Sequence, residues 1–330
     1  MSGNNASAAT SKNSFNLFKW VKSGKGQKVA VIVTFMIAPL LLLLTFTYLP
    51  FFKMIEFSMY NMKYIGPREF VGLENYKEVF SRSDIFGAFK LSIYYMGASI
   101  VQLALALYFA TLLSFKTKGG SFFKGAVFFP YLVCGIAVGF VFKFFYTRGF
   151  VFDTILQAIG FDLEKLPYWL KDTKINNISL AATSVWRYMG QNMVLFIGAI
   201  MSVDSELYES SSLDGANKWQ QFKYIILPSI KTIVVLNLIL SITGSLSAFE
   251  PPYVITGGTF GTATFFVMMN RIAHEHQKVG LASAMAVVLL GIIIIATILQ
   301  KVFFAVAFND GDDNSKKTAK RMKKNKKEVA

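Results

Sequence analysis

The sequence predicts an all-α membrane protein with six transmembrane helices and both termini on the cytoplasmic side. Three observations predict it. Of the 330 residues, 54% are hydrophobic and only 16% are charged, against about 25% charged in soluble domains. Apolar runs of about 20 residues, the length that crosses a bilayer, recur along the chain. The net charge of +15 gathers at the ends, Lys12 to Lys28 and Lys316 to Lys327, beside apolar runs. Charge so placed fixes orientation and meets anionic headgroups.

Residues 1–28 are polar, Ser/Asn-rich and basic, and read as a cytoplasmic amino tail, disordered at its start. The run 29–52 is too long for the apolar core of a signal peptide and ends in no small-residue cleavage site, so a retained first span is expected. Further spans are expected at 92–115, 123–145, 178–201, 226–249 and 279–308. Lys143, near one end of the third, can reach the interface along its aliphatic stem.

Lys and Arg in the short loops set the orientation. The amino tail has five lysines. The turn between spans two and three has Lys116, Lys118 and Lys124 without an acid, and the basic carboxyl tail 309–330 has eight Lys/Arg. Loops 53–91 and 146–177 are charge-balanced and fall outside, with Asn75 and Asn176 expected to meet water; 250–278 joins them by parity. Loop 202–225 falls inside although it is acidic, an exception that a protein partner would explain. The pairs Gly135/Gly139 and Gly280/Ala284 suit close helix approach.

Several function classes are excluded. One cysteine, Cys134, and two histidines, His274 and His276, are too few for a metal cage of Cys and His. No Gly-x-x-x-x-Gly-Lys-Ser/Thr run provides a phosphate cradle, and Gly257 to Gly261 reads as a turn. The basic ends carry no aromatic-studded folded module, so nucleic acid is not an expected partner. No nucleophile, base and acid constellation is legible.

The loop before span five carries the most information. Asp204 or Ser205 can cap a short helix with Glu206 and Glu209 in its first turns. Gly215 suits the left-handed position past a helix end. Asn217 can start a second helix whose Trp219, Phe222 and Ile226 share one face at helical spacing. Physics alone leaves two readings, a docking helix or a connector resting on lipid.

The run Tyr208-Glu209-Ser210-Ser211-Ser212-Leu213-Asp214-Gly215-Ala216, followed by Leu227-Pro228, resembles the Glu-Ala-Ala loop of binding-protein-dependent ABC importer permeases. Ser210 and Ser211 stand where that pattern has two alanines. Phe70-Val-Gly-Leu-Glu-Asn-Tyr76, Phe129-Pro130-Tyr131 and Ala248-Phe-Glu-Pro-Pro-Tyr-Val-Ile-Thr-Gly-Gly258 resemble further segments of the same family, in its sugar-transport branch of maltose-type and multiple-sugar permeases. The resemblance runs from about residue 30 to 305. It implies a permease domain over 29–308 and a coupling helix in loop 202–225. Glu206, Tyr208, Glu209, Ser210, Ser211, Leu213, Asp214, Gly215 and Ala216 would then meet a cytoplasmic ATPase subunit. It further implies a second homologous permease, two ATPase subunits that bind ATP and Mg, and a solute-binding protein. This chain would hold no cofactor of its own.

Polar residues inside spans mark candidate function. Arg187 lies roughly 12 Å inside the outer end of span four at 1.5 Å per residue. With Gln191 and Asn192 it either lines a polar path or braces a neighbouring element. Asn237, Ser241 and Ser245 form a stripe on span five that suits a path or close packing equally. Phe249, Glu250 and Tyr253 at its outer end are placed to meet a sugar or a docked partner. The expected function is a carbohydrate importer subunit working by alternating access. The rivals are a glycerol phosphate or other polar-solute importer, an ion-coupled secondary transporter, and a membrane enzyme. The last two lack mid-span carboxylates and a catalytic cluster.

Overall fold

A computed structural model describes residues 24–115 and 117–308. The tail 309–330, most of the tail 1–28, and Lys116 lie outside the described residues. The chain divides into two compact units, 1–56 and 57–330.

The described residues of the first unit are helical. Gly24–Leu43, a π turn at Leu44–Tyr48 and Leu49–Phe57 run on as α1, ending in the second unit. Pro39 sits inside it without a backbone N–H to donate. No residue of 31–50 is buried, and Lys53 pairs with Glu56 at 2.6 Å.

The second unit opens with a small hairpin. Strands β1 (Tyr60–Asn61) and β2 (Glu69–Phe70) pair antiparallel, Tyr60 opposite Phe70. An all-α reading omits it, because two-residue strands carry no periodicity. The segment 70–76 locks this hairpin. Gly72 turns at φ +59°, and α2 (Glu74–Ser81) begins at once. The Asn75 side chain donates to the Ser58 and Tyr60 carbonyls at 2.8 and 3.0 Å. Asn75 is therefore buried, as is Asn176, whose amide donates to the Phe260 carbonyl at 2.7 Å. Neither meets water as expected, since each satisfies backbone groups of a turn.

Helix α3 (Ser83–Gly87) and a 3-10 turn, Ala88–Leu91, lead into α4 (Ser92–Ser114). The expected third span, 123–145, is not one straight helix. It is α5 (Gly120–Leu132) and α6 (Gly135–Phe145), bent by 98°. Val133 and Cys134 take extended backbone between them. The two halves pack on different partners, which holds the bend. Helix α7 (Val151–Ala158) follows, then α8 (Asn176–Met201). Asp153 on α7 is fully buried, accepting from Gly149 N at 2.7 Å and Trp169 Nε1 at 2.6 Å.

Helix α9 (Ser205–Leu213) and α10 (Lys218–Gln221) fill the acidic loop. A π turn, Phe222–Ile226, and the short turn Leu227–Ser229 join α10 to α11 (Lys231–Leu246). The fifth span thus begins at Lys231 rather than 226. Helices α12 (Glu250–Thr256), α13 (Phe265–His274) and α14 (Val279–Phe308) complete the chain. Residues 257–261 form the expected turn, with Gly257, Gly258, Phe260 and Gly261 at positive φ.

Four helices among the described residues are long and apolar enough to cross a membrane, five if the bent pair counts as one span. The 26-residue α8 is long enough, but its polar side chains lower its hydropathy. It packs most extensively along α4. Leu103, Ala106 and Ala110 of α4 meet Met193, Phe196 and Ile200 of α8 in one core. Lipid is as apolar as leucine, so this packing rests on close fit rather than on escape from water.

Glycines set that fit. A Cβ on Gly139 would lie 2.5 Å from Val254 of α12, and one on Gly280 would overlap the Tyr60 carbonyl. One on Gly190 of α8 would overlap the Val127 carbonyl of α5 and lie 2.7 Å from the Phe128 Cα. Backbone cannot swing aside as a side chain can. Gly190→Ala is therefore expected to lower stability by about 1–3 kcal/mol. Gly198→Ala, on the same helix with nothing within 4 Å of the new Cβ, should not. Unfolding midpoints of the two purified variants check the contrast.

Candidate functional site

Between α4, α8, α11 and the start of α12 lies a cavity of about 490 Å³. Helical spacing brings its wall together. Tyr95, Ser99 and Gln102 recur at four and three residues on α4, and Ser184, Tyr188 and Gln191 do the same on α8. Asn237, Ser241 and Ser245 bring the α11 stripe to the same space, and Phe249 and Glu250 line it from beyond the end of α11.

Three of the polar side chains here donate within their own helix. Ser99 Oγ donates to Met96 O at 2.8 Å and Ser245 Oγ to Ser241 O at 2.7 Å. Asn237 Nδ2 donates to Ile233 O at 2.9 Å. The Ser99 and Ser245 hydroxyls therefore offer oxygen lone pairs rather than hydrogens, while Asn237 has a second amide hydrogen and a carbonyl oxygen to offer.

Behind this wall, Arg187 of α8 pairs with Glu250 of α12. The guanidinium lies 5.0 Å from the Tyr188 ring centre, and the Tyr188 hydroxyl donates to the same carboxylate at 3.5 Å. The arginine side chain is 14% exposed and the glutamate 41%. A Cβ on Gly135 of α6 would collide with both groups, at 2.5 Å from the guanidinium. The pair thus joins α6, α8 and α12 at one point.

Of the expected path residues, Gln191, Asn192, Asn237, Ser241, Ser245, Phe249 and Glu250 line the cavity. Arg187 does not; it sits behind Glu250 and braces α12. Tyr253 does not either, and its ring stacks on Phe249 with centres 4.6 Å apart. Tyr95, Ser99 and Gln102 escape a search for clustered polar residues, because they are spread along an apolar run, whereas Ser184 and Tyr188 stand beside Thr183 and Arg187. Their helical spacing is the signal that finds them.

The acidic loop forms a second feature. Asp204 Oδ1 caps α9, accepting from Glu206 N at 3.1 Å. Gly215 sits at φ +82°, with Ala216 N donating to Ser211 O at 2.9 Å. Asn217 and Gln220 exchange side-chain and backbone bonds at 2.9 and 2.8 Å, a capping box for α10. Gln221 Nε2 donates to the Ser211 and Ser212 hydroxyls at 3.1 and 2.9 Å, tying α9 to α10. This is a bond that alanine at 211 would not make. Tyr208 lies against Phe115 with ring centres 5.6 Å apart, and burial pushes its phenol pKa up.

Glu206, Glu209, Ser210, Leu213, Asp214 and Gly215 form the exposed side of this loop. Tyr208, Ser211 and Ala216 are half-buried instead. The shared face expected of Trp219, Phe222 and Ile226 divides, with Trp219 exposed and Ile226 buried. The π turn at Phe222–Ile226 inserts an extra residue and so rotates the helix beyond it.

The family described as "Binding-protein-dependent transport system inner membrane component" matches residues 16–305. The chain is 32% identical over 275 residues to the probable ABC transporter permease protein YurN of Bacillus subtilis (strain 168), covering 81% of this chain and 94% of the relative. It is 30% identical over 311 residues to the arabinooligosaccharides transport system permease protein AraP of Halalkalibacterium halodurans, covering 91% and 94%. Its fold matches a chain of a bacterial alginate ABC transporter, solved in complex with an alginate pentasaccharide-bound periplasmic protein. There the TM-score is 0.74 at 18% identity, over 88% of this chain and 99% of the other.

The Arg187–Glu250 contact supports a direct measurement. Neutralising one partner leaves a partly desolvated charge, and neutralising both leaves none. In a thermal-stability cycle, the losses in Arg187→Gln and Glu250→Gln should sum to more than the loss in the double variant. The coupling should be about 1–2 kcal/mol, moderated by the exposure of Glu250.

Proposed function

This chain belongs to the family of binding-protein-dependent transport system inner membrane components, and from that premise we propose that it is one permease half of an ATP-driven carbohydrate importer. Relatives named for arabinooligosaccharides, starch degradation products and multiple sugars support the substrate class. The cavity walled by α4, α8 and α11 serves as the substrate path, its amides and lone pairs meeting sugar hydroxyls. Transport proceeds by alternating access. A second homologous permease, two ATPase subunits holding ATP and Mg, and a solute-binding protein complete the complex in the cell membrane.

One observation carries this reading. The acidic run that resembles the family's Glu-Ala-Ala loop lies on α9 and the turn after it, with Glu206, Glu209, Asp214 and Gly215 exposed together. A short helix, capped at one end, closed by a glycine turn and braced to α10, presents a stiff surface. Stiffness is what a coupling helix needs to turn closure of an ATPase groove into movement of the spans.

Six spans with both tails cytoplasmic follow from this reading, and impermeant thiol labelling checks them. In a Cys134→Ser background, cysteines at Ile65 and Lys165 should react in intact cells. A cysteine at Leu213 should react only after permeabilisation. The side chains of Ile65, Lys165 and Leu213 stand 92%, 84% and 90% exposed, so access and not burial decides the result. Labelling at Leu213 alone would invert the topology.

Gly215→Asp tests the coupling itself. A Cβ at this position meets nothing within 4 Å, so the spans should still fold, at about 1 kcal/mol of backbone strain. Transport should fall at least tenfold while membrane abundance holds. A cysteine at the exposed Ser210 should crosslink to the ATPase subunit, with a yield that changes with nucleotide. Normal transport together with no crosslink would refute the coupling role.

A further inference from the structure

We infer that the cavity admits neutral, hydroxyl-rich solutes and turns away anions, with Glu250 as the selecting residue. The inference rests on the importer reading and specifies its substrate.

Among the described residues, Glu250 is the only charged side chain that lines the cavity. Its counter-charge, Arg187, is absent from that wall and stands on the far side of the carboxylate. The pair is therefore a dipole with its negative end toward the solute. A carboxylate or phosphate entering here meets like charge and finds no Lys, Arg or His on the described wall.

The uncharged groups agree. Ser99 and Ser245 spend their hydroxyl hydrogens on their own helices. They ask the solute for donors. A sugar hydroxyl supplies a donor, whereas an ionised phosphate supplies only acceptors. The free carboxylate edge of Glu250 is likewise an acceptor for hydroxyls. Tyr188, beside the carboxylate, adds an aromatic face on which the apolar side of a sugar ring can rest.

Thiol labelling of the purified importer complex tests this without knowledge of the natural sugar. Ser241→Cys places the only reactive thiol on the cavity wall, in a Cys134→Ser background with partner cysteines replaced. Rates with a cationic and an anionic methanethiosulfonate reagent are compared, each divided by its rate at an exposed Gln157→Cys. The cationic reagent should react roughly fivefold faster than the anionic one. Glu250→Gln should reverse the preference, because Arg187 then stands alone. The pair Arg187→Gln with Glu250→Gln leaves no bare charge and should bring the ratio to about one.

Equal rates, or an anionic preference, in the parent cysteine variant would overturn the inference even if no Glu250 variant assembles. A ratio unchanged across all three proteins would overturn it too. Those outcomes leave the importer reading standing. No reaction at Ser241→Cys with either reagent would instead overturn the cavity as a path, and the inference with it.

Discussion

Arg187 and Glu250 meet where three elements converge. The arginine comes from the longest polar helix, α8, and the glutamate from the first residue of α12. Neither charge would tolerate an apolar setting alone, and together they nearly cancel. Their contact requires that α6 come close without a side chain, so Gly135 is a condition of the pair and not a packing detail. It also aims the carboxylate at the cavity and keeps the guanidinium out of it. The position of the bent third span, the seat of α12 and the polarity of the cavity wall all depend on this one contact.

Close packing supplies the rest. Without a hydrophobic drive between helices in lipid, stability depends on fit, and fit depends on small residues at crossing points. Gly190 lets α8 touch the α5 backbone, and Gly139 lets α6 touch α12. Gly280 brings the start of α14 against the hairpin that Asn75 holds. The Gly190 and Gly280 contacts are rigid because their partners include backbone. The acidic loop is stiffened differently, by caps and by the Gln221 bonds to Ser211 and Ser212. A tight bundle with a stiff handle at one end is suited to moving as a body.

The cavity is less rigid in its chemistry. Its Ser99 and Ser245 hydroxyls and one Asn237 amide hydrogen are satisfied locally, so they carry little cost when the cavity is empty. A solute that brings hydroxyls gains bonds without breaking any.

Much of this was legible in the sequence for a physical reason. Bilayer thickness forces long apolar runs, helix caps have local chemistry, and a left-handed turn calls for glycine. The approximate positions of four apolar spans, the Asp204 cap and the Gly215 turn could therefore be read from neighbouring residues alone. The stripe Asn237, Ser241 and Ser245 was legible as a stripe. What it faces was not, because that depends on Tyr95, Ser99 and Gln102 about 140 residues away. Arg187 could be seen to need a partner, yet its choice of Glu250, 63 residues later, was a matter of tertiary packing. The 98° bend after Leu132 was hidden as well, since the sequence there reads as one apolar run and the bend is set by what each half packs against. Local chemistry thus determined the elements, and contacts between distant residues decided which side chains meet and which wall carries the charge.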